Sequence, residues 1–410
     1  MSGKFADLII VGAGASGLAA AIAAAEHQDQ VILLEAQEQP GKKILASGNG
    51  RCNIMNSGPL RYYGDTSLAF HVLQRINRDH LRSFLHRYGV LLSHEEDRLY
   101  PSTFQAKSVM SSFKNAVSHL HISMVCSERV GEIRKEQGLF RVHSVHHNTY
   151  SAPRIIIACG GLSQMKLSGS SDGYRFLEKF GHSVSTLRPA LAPLITDKKS
   201  ISGLRGIRVK CGLSLLNNGR LIHREAGELL FADDGISGIC SMQMARFIEG
   251  PGFYAEVNFL QRIYSSLEEV KKEFSYRKKR FENLDPTWLL NGMTTEKISY
   301  AVCKQAGIPL RGELISELTE EQTDRIAYTS MHYRIDIQAT KGFDFAQVTS
   351  GGACQESFDP DTLESRLIPG LHAAGEVLNV DGDCGGFNLM FALSSGILAG
   401  LNNRELITEG

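Results

Sequence analysis

Three glycines near the start of the chain have the spacing of a phosphate-binding turn. Gly12, Gly14 and Gly17 form a GxGxxG pattern that directly follows the apolar run 7–11. In such a turn the first glycine allows a sharp bend, and the second lets a pyrophosphate approach the backbone. The third lets a helix pack closely on the strand before it. The pattern therefore predicts a dinucleotide-binding turn.

The elements around the turn agree with this interpretation. Ala15 and Ser16 open an alanine-rich segment typical of a buried helix, whose N-terminal amides would face the phosphates. A second apolar run, 31–34, ends on Glu35, eighteen residues beyond Gly17. A carboxylate at this position accepts hydrogen bonds from a ribose hydroxyl, and its charge disfavours the 2′-phosphate of NADP. Strand, glycines, helix, strand and acid together predict a Rossmann-like α/β domain.

A second cluster of glycines follows the acid. Residues 40–53 read PGKKILASGNGRCN, with three glycines, two adjacent lysines and an arginine. Directly after a ribose-binding acid, such a loop can lie along the cofactor with its amides facing phosphate and flavin. A solvated glycine loop is the alternative, but it does not explain so dense a GNGRCN cluster. The predicted cofactor contacts of this loop are Lys43, Gly48, Asn49, Gly50, Arg51, Cys52 and Asn53.

The stretch 41–56, GKKILASGNGRCNIMN, resembles the signature of the HI0933-like family of bacterial flavoproteins. This family is related to glutathione-reductase-like enzymes, which have two dinucleotide-binding folds. Its members are described as NAD(P)/FAD-dependent oxidoreductases, as bile-acid dehydro-steroid reductase-like proteins and as aminoacetone-oxidase-like proteins. The resemblance resumes at several later points and covers nearly the full length. It implies FAD, and not NAD, in the N-terminal socket.

The resemblance also implies where the flavin end of the site lies. In related folds, the acid after the Ala-x-Gly strand, here Glu376, binds the ribityl chain. A helix that starts after Gly385 and Gly386 would point its positive end at the flavin pyrimidine, where reduced flavin carries negative charge. The residues that the resemblance assigns to this half are Gly160, Gly375, Glu376, Asp381, Gly385, Gly386, Phe387, Asn388 and Leu389.

No catalytic acid or base is fixed by spacing. Tyr100, His372 and Asp381 are candidates by position, and for Tyr100 a packing role is favoured over proton donation. Cys52 and Cys384 lie in two loops that should converge on the flavin and could form a redox pair. The chain has no CxxC motif, so two small buried cysteines are favoured instead. Its eight cysteines and fourteen histidines show no cluster at metal-ligand spacing, and we expect no metal.

The pattern of apolar and charged residues along the chain predicts three structural parts. Alternating segments after residue 189 predict an inserted β-barrel-like domain, and the charge-rich region after it predicts a helical subdomain. Residues 271–280 hold six basic side chains, for which a solvated helix face is favoured over an anionic partner. The predicted parts are a discontinuous FAD-binding domain at 1–189 and 346–410, the β-domain at 190–258 and 325–345, and the helical subdomain at 259–324.

The composition argues against several classes of partner. Lysine plus arginine equal aspartate plus glutamate at 44 each, so no overall field attracts nucleic acid or an anionic membrane. The sequence contains no run of about eighteen apolar residues, so we expect no membrane-spanning helix. A strand that begins at residue 7 leaves no room for a signal peptide, and scattered cysteines suit a reducing cytoplasm. We expect a small-molecule substrate, with monomer and homodimer both open.

These observations predict an FAD-dependent oxidoreductase. Since no second GxGxxG unit follows, we expect NAD(P)H to bind transiently over the flavin, held by the insert, and to deliver hydride through flavin N5. The expected acceptor is a small organic compound with an activated C=C or carbonyl group. One alternative is an oxidase that uses O₂ on a small amine or ketone. Alternatives of another class are a flavin-binding sensor and an RNA-modification component, which the neutral composition disfavours.

Overall fold

A computed structural model describes residues 4–407 and divides the chain into two compact units. The first unit contains the described residues up to Pro189 and those from Gln347 onward. The second unit is Ala190–Ala346. Each unit has a hydrophobic core of its own. The cofactor-binding motifs of the sequence all fall in the first unit.

A parallel five-stranded sheet forms the centre of the first unit. Its four-residue strands Leu8–Val11 and Val31–Leu34 are buried throughout, because a parallel sheet is covered on both faces. This explains why the sequence shows them as unbroken apolar runs. Parallel strands end at a common edge, where a ligand of such a fold binds. In spatial order the strands are Leu371–Ala373, Arg154–Ile157, Leu8–Val11, Val31–Leu34 and Ser123–Val125.

Two helices of the first unit touch through small residues. A side chain at Gly396 would collide with the backbone oxygen of Ser16, and one at Gly400 with that of Ala20. Only glycine lets two backbones approach so closely. The first and last helices of the described chain therefore pack directly together. The helices of this unit are Ala15–Ala25, Lys42–Ala46, Thr66–Arg75, Arg78–Arg87, Ala106–His119, Asp172–Lys179 and Phe387–Leu401.

Smaller sheets complete the first unit. Tyr62–Gly64 pairs with Val380–Gly382 and so brings an early loop beside the C-terminal segment. A three-stranded sheet contains Met55–Asn56, Arg98–Pro101 and Leu92–Glu95. Arg188–Ala190 and Val348–Ser350 are short strands near the borders between the units. A four-stranded sheet contains Lys4–Phe5, Thr149–Ala152, Leu139–Ser144 and Val130–Glu136.

The second unit is built on a closed six-stranded barrel. Its longest hairpin turns at Asn218 and Gly219, which both have positive φ, as a two-residue turn between twisted strands requires. The Asn-Asn-Gly sequence predicts this turn, and the structure confirms it. In order around the barrel the strands are Leu194–Thr196, Gly235–Ser237, Arg220–Phe231, Arg208–Asn217, Phe253–Asn258 and Tyr333–Thr340.

Helices occupy the remainder of the second unit. Glu320–Met331 crosses residue 324, where the sequence predicts the end of the helical segment, so that border is wrong. A capping box at Thr319 starts this helix, and its buried side continues past the predicted border to Met331. None of the helices described between residues 4 and 407 is long and apolar enough to cross a membrane. The helices of this unit are Ile239–Met242, Leu267–Arg280, Glu296–Gln305 and Glu320–Met331, with 3₁₀ turns at Ala245–Phe247, Pro286–Leu290 and Ile315–Glu317.

Candidate cofactor site

The three glycines of the first turn differ in what surrounds them. Gly12 has a φ of +104°, and a side chain on it would collide with the carbonyl oxygen of Ala158. A side chain on Gly17 would collide with the carbonyl oxygen of Gly12. A Cβ on Gly14 would meet no atom within 4 Å. Gly12 and Gly17 are thus required by the fold, whereas Gly14 faces the space through which a phosphate would approach.

Glu35 is held against the same turn. Its Oε2 accepts a hydrogen bond of 2.7 Å from the amide of Ala13, and its Oε1 accepts one of 2.8 Å from the amide of Gln37. Burial raises the pKa of Glu35 above its usual value, although both hydrogen bonds act in the opposite direction. Each carboxylate oxygen can accept a second hydrogen bond. Ribose binding by Glu35 therefore stays a prediction that this geometry permits.

Two of the six helices of this unit that begin without a capping side chain start directly after Gly14 and Gly386. Ala15–Ala25 has Gly14 at its N-cap, and Phe387–Leu401 has Gly386. Neither helix has an acidic residue in its first turn. The first amides of a helix have no acceptor within the helix, and they carry its positive dipole end. Both starts are therefore suited to an anion or to a polar acceptor on a ligand.

The GNGRCN loop has an unusual backbone. Gly48, Asn49 and Gly50 have φ values of +56°, +56° and +82°, and Cys52 has +58°. For Asn49 and Cys52 this left-handed conformation costs roughly 1–2 kcal/mol each. Backbone strain of this kind concentrates at ligand-binding sites, where the surrounding structure maintains it. Because Gly48, Asn49 and Gly50 are also exposed, their amides are accessible to a cofactor.

Asn53 places a hydrogen-bond acceptor beside the second helix start. Its Oδ1 is buried and has no hydrogen-bond partner among residues 4–407. A Cβ on Gly386 would lie 2.7 Å from this oxygen. Helix amides thus stand next to an unused acceptor, and the pyrimidine edge of a flavin carries the complementary groups, carbonyl acceptors beside the N3–H donor. The residues in this part of the unit fit a flavin.

The side chains of Asn388 and Asn56 fix the loop before the helix Phe387–Leu401. The Asn388 Oδ1 accepts a hydrogen bond of 2.8 Å from the amide of Gly382, and its Nδ2 donates one of 2.9 Å to the carbonyl of the same residue. The Nδ2 of Asn56 donates to the carbonyl of Gly385 at 2.8 Å. The side chain of Asn388 is therefore occupied within the loop. Only its backbone amide is at the helix start.

Tyr62 and the first helical residues add to this support. The Tyr62 hydroxyl donates a hydrogen bond of 2.9 Å to the carbonyl of Phe387, and the two rings meet edge to face at 5.7 Å. Phe387 is buried, and Leu389 is partly buried against the same core. The side chains of Phe387 and Leu389 thus anchor the helix start. No local pattern in the sequence indicates Tyr62, because its strand joins the site only through pairing with Val380–Gly382.

Lys43 and Glu376, two residues predicted to contact the cofactor, form an ion pair in the first unit. The Lys43 Nζ lies 3.0 Å from Glu376 Oε2 and donates to the Ser163 Oγ at 3.0 Å. Glu376 Oε1 accepts from the Ser163 hydroxyl and from the Thr349 amide, each at 2.8 Å. Burial raises the pKa of Glu376, but the Lys43 charge and these hydrogen bonds outweigh burial and hold it below the usual value.

This network changes the expectation for Glu376. The sequence predicts a carboxylate that binds the ribityl chain, whereas the structure engages both of its oxygens with protein donors. Ribityl binding by the remaining lone pairs stays a prediction. Sequence reasoning missed Ser163 and Thr349, which lie 186 residues apart and meet through a hydrogen bond of 3.0 Å from the Ser163 amide to the Thr349 Oγ1. Serine and threonine beside glycine pairs were the available signal.

Gly160 and Gly375, two glycines predicted to contact the cofactor, differ in their neighbours. Gly160 has a φ of +72°, and a Cβ on it would lie 3.9 Å from both Lys43 Nζ and Glu376 Oε2. Gly375 has a φ of +79° and donates a hydrogen bond of 3.0 Å to the Ser395 Oγ. A side chain on Gly375 would collide with the Ser16 hydroxyl. Gly375 is therefore required for packing on the first helix.

Tyr100 packs beside the GNGRCN loop. Its ring centroid lies 5.5 Å from that of Phe104, and the guanidinium of Arg51 lies 4.5 Å above the ring. Arg51 also forms an ion pair of 2.5 Å with Glu95. The Tyr100 ring lies 3.8 Å from the position of a Cβ on Gly48. Its packing role is thus evident, and its place beside the loop leaves proton donation as a prediction.

His372 lies away from the flavin-end residues. It is buried in the strand Leu371–Ala373, and its Nε2 is 3.2 Å from the Oδ1 of Asn402. Asn402 is the C-cap of the fifteen-residue helix Phe387–Leu401, and a helix of that length extends about 22 Å. The structure therefore does not bring His372 together with Gly386. Burial lowers its pKa below the ordinary histidine value.

Asp381, Cys52 and Cys384 lie in the two segments that the sequence predicts to contact the flavin. Asp381 is buried in the strand Val380–Gly382, opposite Tyr63. Cys52 is buried, and Cys384 is partly buried. Burial raises the pKa of Cys52 to about 11, so its reactive thiolate is scarce at neutral pH. Small buried thiols remain the favoured interpretation.

Comparisons with known proteins agree with this geometry. The family model described as HI0933-like protein Rossmann domain matches residues 6–402. A 3-dehydro-bile acid delta(4,6)-reductase of Clostridium scindens is 32% identical over 95% of this chain and 97% of its own length. A ribosomal RNA dihydrouridine synthase of Escherichia coli is 26% identical over 95% of this chain and 96% of its own length.

Among solved structures, a 3-ketosteroid-delta4-(5alpha)-dehydrogenase of Rhodococcus jostii RHA1 aligns with 98% of this chain and 96% of its own at 14% identity and a TM-score of 0.47. The sequence-based predictions of an α/β fold and of an oxidoreductase are confirmed. The protein is an FAD-dependent oxidoreductase with a Rossmann-type flavin-binding domain.

Proposed function

Because the chain belongs to the HI0933-like family, we propose that it reduces a carbon–carbon double bond conjugated to a carbonyl group in a small organic substrate, with NAD(P)H as the electron donor. FAD, when bound, supplies the hydride-transfer chemistry, and the residues of the chain supply binding, orientation and electrostatics. The proposal has support from two relatives and from the geometry of the flavin end.

The names of two relatives describe one kind of reaction. A 3-dehydro bile acid with double bonds at positions 4 and 6 has these bonds conjugated to its 3-oxo group. Dihydrouridine is uridine with its C5–C6 double bond saturated, and that bond is conjugated to a ring carbonyl. The two substrates differ in size and charge, but the reduced functional group is the same. We infer that this group, more than either molecule, carries over to the present chain.

The observation that carries the proposal is the uncapped helix start at Gly386 beside the buried acceptor of Asn53. A helix N-terminus stabilises negative charge in front of it by about 0.3–1 kcal/mol, and by more in a partly buried site. The Asn53 oxygen selects a neighbouring N–H donor. Together they orient a flavin by its pyrimidine edge and favour its negatively charged reduced form, as a reductase requires.

Reduction of a conjugated double bond also needs a proton at the carbon next to the carbonyl. Of the three candidates, Tyr100 lies beside the GNGRCN loop and Asp381 lies in the strand before Gly385. His372 lies at the far end of the helix Phe387–Leu401. We therefore retain Tyr100 and Asp381 as candidate proton donors and set His372 aside.

Stepwise anaerobic reduction tests the reaction. NADH or NADPH should bleach the visible flavin band of the purified holoprotein, and a 3-oxo-4,6-diene steroid or a cyclic enone should restore it. Failure of both nicotinamides to bleach the band would contradict the reductase assignment. Bleaching by a small amine, with recovery only in O₂, would establish the oxidase instead. Restoration by a uridine oligonucleotide but by none of the small enones would move the substrate to RNA.

A matched pair of variants tests the proton donor. Tyr100→Phe should slow the step in which substrate restores the band, and it should leave bleaching by nicotinamide unchanged. His372→Gln should change neither step, because the residue is remote from the flavin end. If Tyr100→Phe leaves both rates and their pH profiles intact, Asp381 becomes the remaining candidate. The two half-reactions are measured separately in a stopped-flow spectrometer.

A further inference from the structure

Four exposed aromatic rings lie on the helical elements of the second unit, and three of them, unlike Tyr328 on Glu320–Met331, lie on the consecutive elements between residues 267 and 305. Tyr276 is 63% exposed, Tyr300 is 54% exposed and Trp288 is 37% exposed. Large aromatic side chains gain most from burial, so a group of exposed rings marks a surface that contacts another molecule. The three rings lie on three consecutive elements of the chain: Leu267–Arg280, Pro286–Leu290 and Glu296–Gln305.

Cations accompany the ring on the first of these helices. Lys272, Tyr276, Lys279 and Arg280 are all exposed. Residues spaced three and four apart lie on one face of a helix, so these four form a single stripe. Tyr276 stands between cations on both sides along the helix axis.

The helix Glu296–Gln305 repeats the arrangement. Lys297, Tyr300 and Lys304 are exposed, again at spacings of three and four. The intervening residues Ile298, Ala301 and Val302 are buried and attach the opposite face to the core. Two helices of unrelated sequence thus present the same order of lysine, tyrosine and lysine.

The segment Pro286–Leu290 joins these helices. The Nη1 of Arg277 donates a hydrogen bond of 2.7 Å to the carbonyl of Asn291 and one of 3.4 Å to that of Leu289. The ring of Trp288 lies 6.0 Å from that of Phe281, the residue after Arg280. Trp288 is therefore adjacent to the basic end of the first stripe. We call the stripes and Trp288 together the basic-aromatic surface: Lys272, Tyr276, Lys279, Arg280, Trp288, Lys297, Tyr300 and Lys304.

The cations of this surface lack ion-pair partners in the described chain, although hydrogen bonds from Ser265, together with the Lys272 charge, lower the pKa of Glu269. Within residues 4–407, none of its five cations forms an ion pair: Lys272, Lys279, Arg280, Lys297 and Lys304. The acids nearby have other positions or partners. Glu273 pairs with Arg277, Glu269 accepts hydrogen bonds from Ser265, and Glu268 lies in the first turn. Glu282 is exposed beyond the end of the helix.

We propose that the basic-aromatic surface binds single-stranded nucleic acid. Cations that neutralise phosphates, with aromatic rings that stack on bases, are the combination by which proteins hold single strands. A solvated helix face would account for the lysines but not for the two exposed tyrosine rings between them and the tryptophan beside the first stripe. The zero net charge of the chain conceals this surface, because acids elsewhere balance it. The proposal does not depend on which substrate the flavin site reduces.

Binding of fluorescent oligonucleotides to the full-length holoprotein tests the proposal. Oligo(U) and oligo(dT) should both raise the anisotropy signal, and affinity should fall steeply as salt increases. Lys272→Glu/Lys279→Glu should weaken binding by at least about tenfold and reduce the salt dependence. Tyr276→Ala should weaken binding by about fivefold or more while it leaves the salt dependence unchanged, because stacking carries no charge.

A matched control separates a site from general attraction. Lys107→Glu/Lys114→Glu makes the same charge change on exposed lysines of the helix Ala106–His119, and it should leave the affinity unchanged to within about twofold, apart from a weak effect of net charge. Equal loss in this control, or no loss in Tyr276→Ala, overturns the proposal. Lys297→Glu/Lys304→Glu tests the second stripe if the first variant fails to fold.

A second comparison excludes the other surface that such residues suit. Vesicles of phosphatidylserine and phosphatidylcholine should not compete with the oligonucleotide. If they bind the protein with the same dependence on Lys272, Lys279 and Tyr276, the surface is a membrane contact and the proposal fails. A preference for oligo(U) over oligo(dT) would identify RNA as the source of the strand, and equal affinity would leave the shared backbone chemistry as the recognised feature.

Discussion

The uncapped helix starts at Gly14 and Gly386 look alike in sequence and differ in their surroundings. Gly14 has an ordinary extended backbone, with a φ of −79°, and a Cβ on it would meet nothing within 4 Å. Gly386 has a φ of +102°, and a side chain on it would collide with the carbonyl of Met55. Gly14 borders open space, in which we expect a phosphate to approach the helix start. Gly386 is required because the carbonyl of Met55 already lies against it.

We propose that this difference lets one chain recognise the two ends of a dinucleotide. Phosphates are alike in many ligands, and an open helix start beside a tight turn is sufficient to bind them. A flavin ring must be oriented as well as bound. The second start is accordingly held by Asn56 and Tyr62 and has the acceptor of Asn53 beside it. The five predictions below test this comparison and the ion pair beside the site, beginning with the largest expected effect.

Gly386→Ala should destabilise the fold by about 2–4 kcal/mol, because alanine is strained at positive φ and the added Cβ overpacks the contact with Met55. Gly14→Ala should leave the unfolding free energy of flavin-free protein within about 0.5 kcal/mol of the parent, since its backbone conformation suits alanine. Its effect should appear instead as weaker FAD binding. Urea unfolding and FAD titration measure the two effects, and equal destabilisation by both substitutions would refute the contrast.

Lys43→Met should destabilise the fold by roughly 1–3 kcal/mol at neutral pH, because it leaves the buried Glu376 carboxylate without its cation. The lower part of that range is appropriate because both side chains retain some contact with solvent. Lys43→Met/Glu376→Gln should recover part of the loss, since no uncompensated charge remains. Unfolding in urea measures each variant, and a double variant less stable than Lys43→Met would contradict the ion-pair account.

The same pair predicts a dependence on pH. Since the folded-state pKa of Glu376 lies below its ordinary value of 4.5, the ionised carboxylate stabilises the fold above that pH. This contribution should be lost as pH falls from 4.5 through the lower, folded-state pKa. Glu376→Gln should therefore flatten the decline of unfolding free energy in that acidic range. A decline equally steep in both proteins would assign the acid sensitivity to other carboxyl groups.

Asn53→Ala should abolish discrimination between FAD and N3-methyl-FAD. The parent protein should prefer FAD by about tenfold, the equivalent of one good hydrogen bond of roughly 1.4 kcal/mol. The variant should bind both with similar, weaker affinity, because the acceptor for the N3–H group is gone. Titration of flavin-free protein with each cofactor gives the two ratios, and retained discrimination in the variant would place the N3–H group elsewhere.

Tyr62→Phe should have the smallest effect, a loss of about 0.5–1.5 kcal/mol from the hydrogen bond to the Phe387 carbonyl. The edge-to-face packing of the rings should persist, so flavin absorption should change little. Tyr62→Ala is the companion variant, and it should cost about 3–5 kcal/mol through the cavity that it leaves. If Tyr62→Phe displaces the flavin spectrum as much as Gly386→Ala, this hydrogen bond contributes more to the site than its geometry indicates.

The parts of the site that the sequence predicts well are local. Gly12, Gly14, Gly17 and Glu35 lie within one β–α–β unit, where chain connectivity alone fixes their relation. Their spacing therefore indicates their arrangement before any tertiary contact is known. The Asn218–Gly219 turn of the barrel is predictable for the same reason, since two residues with positive φ determine a hairpin.

The parts that the sequence does not predict depend on distant contacts. Lys43 and Glu376 are 333 residues apart, and nothing in either local pattern indicates an ion pair. His372 precedes Glu376 by four residues, yet its side chain contacts Asn402 at the opposite end of a helix. Nearness along the chain was a poor guide for His372, because residues four apart in an extended segment can contact different parts of the fold. Ser163 and Thr349 were missed because they are 186 residues apart and meet only in the folded chain.

The contact between the first and last helices of the first unit has a consequence for the synthesis of the protein. Residues 15–25 leave the ribosome some 360 residues before the helix Phe387–Leu401, a delay of roughly 20–70 s at ordinary bacterial elongation rates. During that time the alanine helix lacks the partner that covers Ser16 and Ala20. The flavin end, which that late helix begins, cannot exist until translation of the chain is nearly complete. Until residues 387–401 have been translated, the face of the alanine helix that they cover must stay protected in another way.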